Sequence, residues 1–171
     1  MKSYKPVFWA GIVLGIGLGG FVDGIVLHQI LQWHHMLTSA GFPPTSVASL
    51  ELNTLADGLF HAATWVITAI GLAMLWRAGQ RSDVLWSPSV FVGALLMGWG
   101  LFDLVEGLID HQILGIHHVR SGPNEFAYDM GFLAFGALLA IVGWLLVRRG
   151  RSGAANMAKA EGATGAATRR A

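Results

Sequence analysis

Residues 10–35, AGIVLGIGLGGFVDGIVLHQILQWHH, are the most informative stretch of the chain, because residues 93–118, GALLMGWGLFDLVEGLIDHQILGIHH, repeat their pattern without a gap. Each copy is a long apolar run that ends in the phrase HQIL-x2-HH. Each also has an acid five residues before its first histidine, Asp23 in one copy and Glu106 in the other. Since about 20 apolar residues suffice for a helix to cross a bilayer, the repeat predicts two equivalent membrane helices that end in histidines.

The composition also indicates an integral membrane protein. The chain is 54% hydrophobic and only 12% charged, and its mean hydropathy is +0.56, which is unlike an ordinary soluble domain. A net charge of +1 gives no basic surface for nucleic acid. The absence of cysteine excludes disulfides, thiolate nucleophiles, iron–sulfur clusters and cysteine-type zinc sites. Histidine, aspartate, glutamate and methionine remain as possible metal ligands.

The apolar runs predict an all-α integral membrane fold with four transmembrane helices, since an isolated strand cannot satisfy its backbone in lipid. We expect one domain, residues 1–147, made of two parallel two-helix repeats at 7–76 and 90–147. Residues 148–171, rich in glycine and alanine with scattered cations, are predicted to form a disordered cytoplasmic tail. The four spans are predicted at 7–31, 55–76, 90–114 and 126–147.

The distribution of charge predicts the orientation of the spans. Every lysine and arginine except Arg120 falls on one side of the four-span layout, so the positive-inside rule puts both termini in the cytoplasm. All seven histidines then lie at the extracytoplasmic end. Because both halves start on the same side, we expect them to be related by a pseudo-two-fold axis along the membrane normal. A site built by both halves would lie around that axis.

The two histidine phrases predict a metal centre. If the α-helix continues through each phrase, residues seven apart share a face, which pairs His28 with His35 and His111 with His118. Such pairs lie about 10 Å apart along the axis and cannot share one ion whose ligands lie at about 2.0–2.1 Å. One centre must therefore combine histidines from different helices, or the helix must break near residue 32 or Gly115. These four histidines lead the predicted ligand set, and the other candidates are His34, His117, His61, Asp57, Asp129, Glu106 and Asp110.

Acidic residues within the spans support a bound cation. Asp103, Glu106 and Asp110 would share one face of an α-helix, and each costs about 2.5–3.5 kcal/mol to insert into a bilayer. A cation, water or protonation would offset that cost. Asp103 and Asp110 could alternatively orient the histidine rings. Asp57 and Asp129 could be helix N-caps.

The ligand chemistry leaves several functions open. Nitrogen and oxygen donors suit copper(II), zinc, iron or manganese, and the external face without thiolates favours copper, with zinc or iron as alternatives. The pattern fits metal binding, delivery or resistance. It also fits a membrane-bound metal-dependent oxidoreductase, a haem b protein with bis-His ligation across spans one and three, or a proton or cation conductor. Whether the protein is an enzyme stays open at this point.

The phrases DGIVLHQILQWHH and EGLIDHQILGIHH resemble those of a family of bacterial predicted membrane proteins of unknown function, DUF2243, over roughly residues 7–147. The resemblance implies a multi-pass protein of the bacterial inner membrane and gives no mechanism. Members of that family are often found near assembly factors of the copper-dependent respiratory oxidase. The resemblance therefore favours copper, with the oxidase assembly machinery or a periplasmic metal carrier as the partner.

Overall fold

Four long helices make up the fold of a computed structural model that describes residues 2–168, with side chains described for residues 2–153. All four are long and apolar enough to cross a membrane. Two of them, α1 and α3, continue directly into seven-residue π-helices, Gly24–Ile30 and Gly107–Ile113. Among the described residues there is no strand beyond an isolated bridge. The α-helices are α1 Lys5–Asp23, α2 Val47–Gly79, α3 Pro88–Glu106 and α4 Glu125–Thr168.

The central pair of helices is α1 and α3, and α2 and α4 flank it. α1 packs against α2 and α3, and α3 packs against α4, whereas the described parts of α2 and α4 do not approach each other. The most apolar 18-residue stretch of the first span is 56% buried, and that of the third is 33% buried. The corresponding stretches of the second and fourth spans are only 11% and 17% buried. The flanking helices therefore present most of their apolar side chains to lipid.

Glycines allow the backbones of α1 and α3 to touch. A Cβ on Gly15 would overlap the carbonyl oxygen of Leu95 and lie 2.9 Å from the Cα of Gly98. One turn earlier, a Cβ on Gly11 would lie 2.8 Å from the Cβ of Ala94. Small residues let helix backbones approach this closely in lipid. Because these contacts advance in step along both helices, α1 and α3 run in the same direction.

Two helix boundaries differ from the sequence prediction. α2 begins at Val47 rather than at residue 55, because the Ser46 side chain accepts a hydrogen bond from the Ser49 N–H and caps the helix. α4 continues as helix to Thr168, whereas the sequence predicts no structure after residue 147. The alanine-rich composition of this segment favours helix. The last residues of the predicted tail, 169–171, lie outside the described residues.

The parallel packing of α1 and α3 gives the molecule two chemically different ends. Both histidine phrases lie at one, the histidine end, where the Ser39 N–H donates to the Ile116 carbonyl at 3.0 Å and joins the two loops. At the other, the cationic end, Arg151 lies over the ring of Tyr4. The cationic end carries Lys5, Arg77, Arg81, Arg148 and Arg151.

Candidate metal centre

The π-helices explain why an acid precedes each first histidine by five residues. In an α-helix, residues five apart point about 140° away from each other, whereas a π-helix bonds residue i to i+5 and brings the two side chains to the same side. The His28 Nε2 lies 3.2 Å from Asp23 Oδ2, and the His111 Nε2 lies 3.2 Å from Glu106 Oε1. Each copy therefore pairs its acid with its first histidine.

Of the two alternatives left open by the sequence, the break near residue 32 and near Gly115 is confirmed, and the helix does not continue through either phrase. The π-helices end at Ile30 and Ile113, and two residues later Gln32 and Gly115 have positive φ angles, 49° and 58°. The chain then folds back, so that the ring of His34 lies 4.3 Å from that of His28, measured between centroids. His28 and His35 consequently do not share a helical face.

Four buried imidazoles, one pair from each half, form what we call the histidine cluster: His28, His34, His111 and His117. Each is at most 2% exposed. The rings of His34 and His117 stack across the two loops with centroids 4.8 Å apart and an angle of 10° between planes. The pairs within each half lie 4.3 and 4.9 Å apart. Across the halves, His28 lies 5.8 Å from His117, and His34 lies 6.3 Å from His111. The two phrases thus converge on one place.

Within this cluster, two groups of side chains have ligand atoms close enough to hold an ion. In each group, one nitrogen or oxygen from every member lies within 4.8 Å of the others. Both groups include His117. The groups are His28, His34 and His117, and Glu106, His111 and His117.

Asp57 orients the histidines of the first half. It accepts from the His28 Nδ1 at 3.0 Å, the His35 Nδ1 at 2.6 Å and the Met36 backbone N–H at 3.0 Å. The Gln29 side-chain amide donates to Asp57 Oδ2. Because Asp57 lies well inside α2, the alternative that it is a helix N-cap is wrong.

Asp129 makes the corresponding contacts in the second half. It accepts from the His118 Nδ1 at 2.7 Å and the Val119 N–H at 3.0 Å, and Gln112 donates to it at 3.2 Å. The His111 Nδ1 is more distant, at 3.6 Å. Asp129 follows the start of α4 by a full turn, so it is not an N-cap either. His35 and His118, expected to lead the ligand set, instead lie on the far side of these carboxylates.

Because His28 donates to Asp57 through Nδ1, the lone pair on its Nε2 points at a second carboxylate, that of Asp23. If Nδ1 carries the proton that Asp57 accepts, then Nε2 faces the Asp23 carboxylate as a second acceptor at 3.2 Å. Two acceptors at that distance require a proton or a metal ion between them. Two ligands of one tetrahedral ion, each at about 2.0–2.1 Å from it, are separated by about 3.3 Å, close to the observed distance.

His34 is held in the form that binds metals. Its Nδ1 donates to the Val119 carbonyl at 2.9 Å, and its Nε2 is buried with no hydrogen-bond partner among the described side chains and backbone. Burial lowers the pKa of His34 to about 2, so the ring is neutral at pH 7. A neutral imidazole with one N–H fixed by a carbonyl offers its other nitrogen to a metal.

Three further residues highlighted from the sequence lie outside both groups, as do His35, His118, Asp57 and Asp129. His61 packs over Gly24 and stacks against Phe21, with ring centroids 6.4 Å apart. Asp110 is half-buried, and Asp103 is buried. Within the described chain neither acid hydrogen-bonds a histidine. Asp23 also lies outside both groups, but its Oδ2 is 3.2 Å from His28 Nε2. It was absent from the predicted ligand set, although its alignment with Glu106 was the signal that could have included it.

Comparison with known families confirms the resemblance. The chain belongs to the family described as predicted membrane protein (DUF2243), with the match covering residues 10–150. No solved structure matches the chain.

Proposed function

We propose that this member of the DUF2243 family binds transition-metal ions, copper in the first place, in the histidine cluster and its two carboxylates, and that it serves metal binding, delivery or resistance. The observation that carries the proposal is the convergence of four buried imidazoles, drawn from both halves of the chain, on two overlapping groups of ligand atoms. Buried polar groups without partners are costly, and a bound ion would satisfy them.

The hydrogen bonds around the cluster support metal binding. Ligating histidines commonly donate their second N–H to a carboxylate or a carbonyl, which fixes the ring and raises its basicity. Here Asp57 accepts from His28 and the Val119 carbonyl accepts from His34. Four nitrogen donors beside carboxylates suit copper(II), zinc or iron, and copper binds such sites most tightly among the divalent ions.

The matching contacts of Asp57 and Asp129 support an arrangement of two parallel two-helix repeats. Under this proposal the cationic end, with both termini, faces the cytoplasm by the positive-inside rule. The histidine end then faces the outside of a bacterial inner membrane. A metal bound there could be exchanged with a periplasmic carrier or with the respiratory oxidase assembly machinery.

Direct ring-to-ring contact favours bare metal ions over haem. Two axial histidines hold a haem from opposite faces of the macrocycle, whereas His34 and His117 stack on each other with centroids 4.8 Å apart. A membrane-bound oxidoreductase that uses the same ions remains the second candidate. The lipid-facing cavities described below favour it, because they lead to the carboxylates of the cluster.

The test is the metal content of the protein purified from its native membrane, measured by elemental analysis. We expect a near-integer ratio of metal to protein, and its loss in a His34→Ala/His117→Ala double variant. His61→Ala is the matched control, since His61 also lies at the histidine end but outside both groups, and it should retain the metal. A metal-free wild type, or a double variant with unchanged metal content, would refute the proposal.

A further inference from the structure

Two cavities lie beside the histidine cluster, one on each side of the central helix pair. The first has a volume of about 260 Å³ and the second about 340 Å³. Both reach the lipid-facing surface, since Val22 in the first lining is 41% exposed and Val105 in the second is 48% exposed. The first is lined by Val22, Asp23, Trp99, Asp103, Phe132 and Phe135, and the second by Met36, Phe60, Phe102, Val105, Glu106 and Asp110, among others.

The cavities are counterparts in the two halves of the chain. The alignment that matches Asp23 with Glu106 also matches Val22 with Val105, and each matched pair contributes one member to each lining. Independent packing defects would not be expected to select corresponding residues. The duplication indicates that the cavities are part of the architecture.

A carboxylate stands between each cavity and the imidazoles. Asp23 lines the first cavity and places Oδ2 3.2 Å from His28, and Glu106 lines the second and places Oε1 2.8 Å from His117. The other oxygens of these acids, Asp23 Oδ1 and Glu106 Oε2, are buried and have no hydrogen-bond partner in the described part of the chain.

The first cavity has a further acid without a partner. Asp103 is 1% exposed, and its Oδ2 is buried with no partner among the described residues. A lipid hydrocarbon chain in these cavities would leave all three carboxylates unsatisfied, at a cost of several kcal/mol each in an apolar environment. An occupant that brings hydrogen-bond donors to the acids would satisfy them.

We propose that both cavities bind a hydroquinone of the membrane, with a ring hydroxyl donating to Asp23 or Glu106 and the isoprenoid tail leaving toward lipid. Aromatic side chains line both cavities, among them Trp99 in the first and Phe102 in the second, and they suit a flat ring. Volumes near the lower end of the range for small-molecule sites fit one substituted ring.

This ligand would extend the proposed function, because its hydroxyl would lie against a carboxylate of the metal centre. The inference rests on the proposed function only where it assigns the hydroquinone a role at the metal centre. Binding itself depends on the cavities, so it can be measured on protein stripped of metal.

The experiment fills each cavity from the lipid side. Val22→Trp and Val105→Trp are made singly and together, and Ile25→Trp with Leu108→Trp is the matched control. Ile25 and Leu108 occupy corresponding positions of the two π-helices, are 44% and 52% exposed, and fall outside both linings as described. The probe is decylubiquinol, kept reduced under anaerobic conditions and quantified on the purified metal-free protein after gel filtration and extraction.

We expect about two molecules of the probe per wild-type chain, about one in each single cavity variant, and none in the double variant, with the control pair unchanged. Metal content is measured separately and should be retained in all of them. Asp103→Asn gives a second test that leaves the cavity volume intact, and it should weaken binding at the first cavity alone. No binding to the wild type, retention of phospholipid instead of the probe, or equal loss in the control pair would overturn the proposal. A wild type that binds the probe but never metal would refute the proposed function and leave this inference standing.

Discussion

Replacing Asp57 with asparagine tests whether Asp57 orients the histidines, because the change leaves the proposed metal ligands themselves in place. The Asp57 carboxylate is 1% exposed and accepts from His28, His35 and the Met36 backbone, with Gln29 as a fourth donor. Asparagine keeps the shape but replaces one acceptor oxygen with an N–H₂ group. One buried imidazole N–H, that of His28 or that of His35, then loses its acceptor.

The size of the effect follows from these contacts. A buried donor left without a partner costs about 1–3 kcal/mol, and the loss of a carboxylate behind a ligating histidine lowers metal affinity by about 10–100-fold. Such a change equals about 1.4–2.8 kcal/mol of binding free energy, whereas the unpartnered donor lowers the stability of the fold. Asp129→Asn should act more weakly on His111, because their separation is 3.6 Å whereas Asp57 lies 3.0 Å from His28.

The assay is titration of the metal-free protein with copper in competition with a chelator of known affinity. Asp83→Asn is the control, since Asp83 is an exposed partner of Arg81 at the cationic end and should leave the affinity unchanged. An Asp57→Asn protein that unfolds cooperatively and binds copper as tightly as the wild type would refute the orienting role. So would equal weakening by Asp83→Asn.

Three further predictions concern packing, pH and metal removal. Gly15→Val should lower the free energy of unfolding by at least about 1–3 kcal/mol, because any Cβ there overlaps the Leu95 carbonyl. Gly58→Ala is the control and should cause no loss, because a Cβ there meets nothing within 4 Å. Denaturant unfolding in detergent compares the two variants. Burial lowers the pKa of His34 from 6.5 to about 2, so the unfolded chain binds a proton that the folded chain does not. The metal-free protein should therefore lose stability as the pH falls below about 6.5, by up to about 1.4 kcal/mol per pH unit, and His34→Gln should flatten the dependence of Tm on pH between 7.5 and 5. Removal of the metal by a chelator should lower Tm, since an ion present at 100 times its Kd contributes about 2.7 kcal/mol; an unchanged Tm in calorimetry would count against a bound ion.

The apolar runs were sufficient to predict the helices, and the glycines within them explain the central contact. The positions of the four spans follow from hydropathy, because a membrane helix satisfies its own backbone. The role of Gly15 follows from the spacing of small residues. The start of α2 was missed because its first turns are polar, and the Ser46 cap extends the helix before the apolar run begins.

The centre was harder to predict because the local winding changes at the residues that matter. An α-helical extrapolation places His35 with His28, whereas the π-helix and the turn at Gln32 bring His34 there. Gln32 carries no sign of a positive φ in its own residue type. Its counterpart in the second copy, Gly115, does, since glycine adopts that region without strain. The repeat therefore held the signal for both turns.

The shared position of His117 would make the proposed centre a single unit of both halves. His117 belongs to the group with His28 and His34 and to the group with Glu106 and His111. Its Nε2 already faces Glu106 at 2.8 Å, while its Nδ1 is buried without a partner in the described chain. An ion in either group therefore uses or repositions the same ring, so binding at one group changes the free energy of binding at the other.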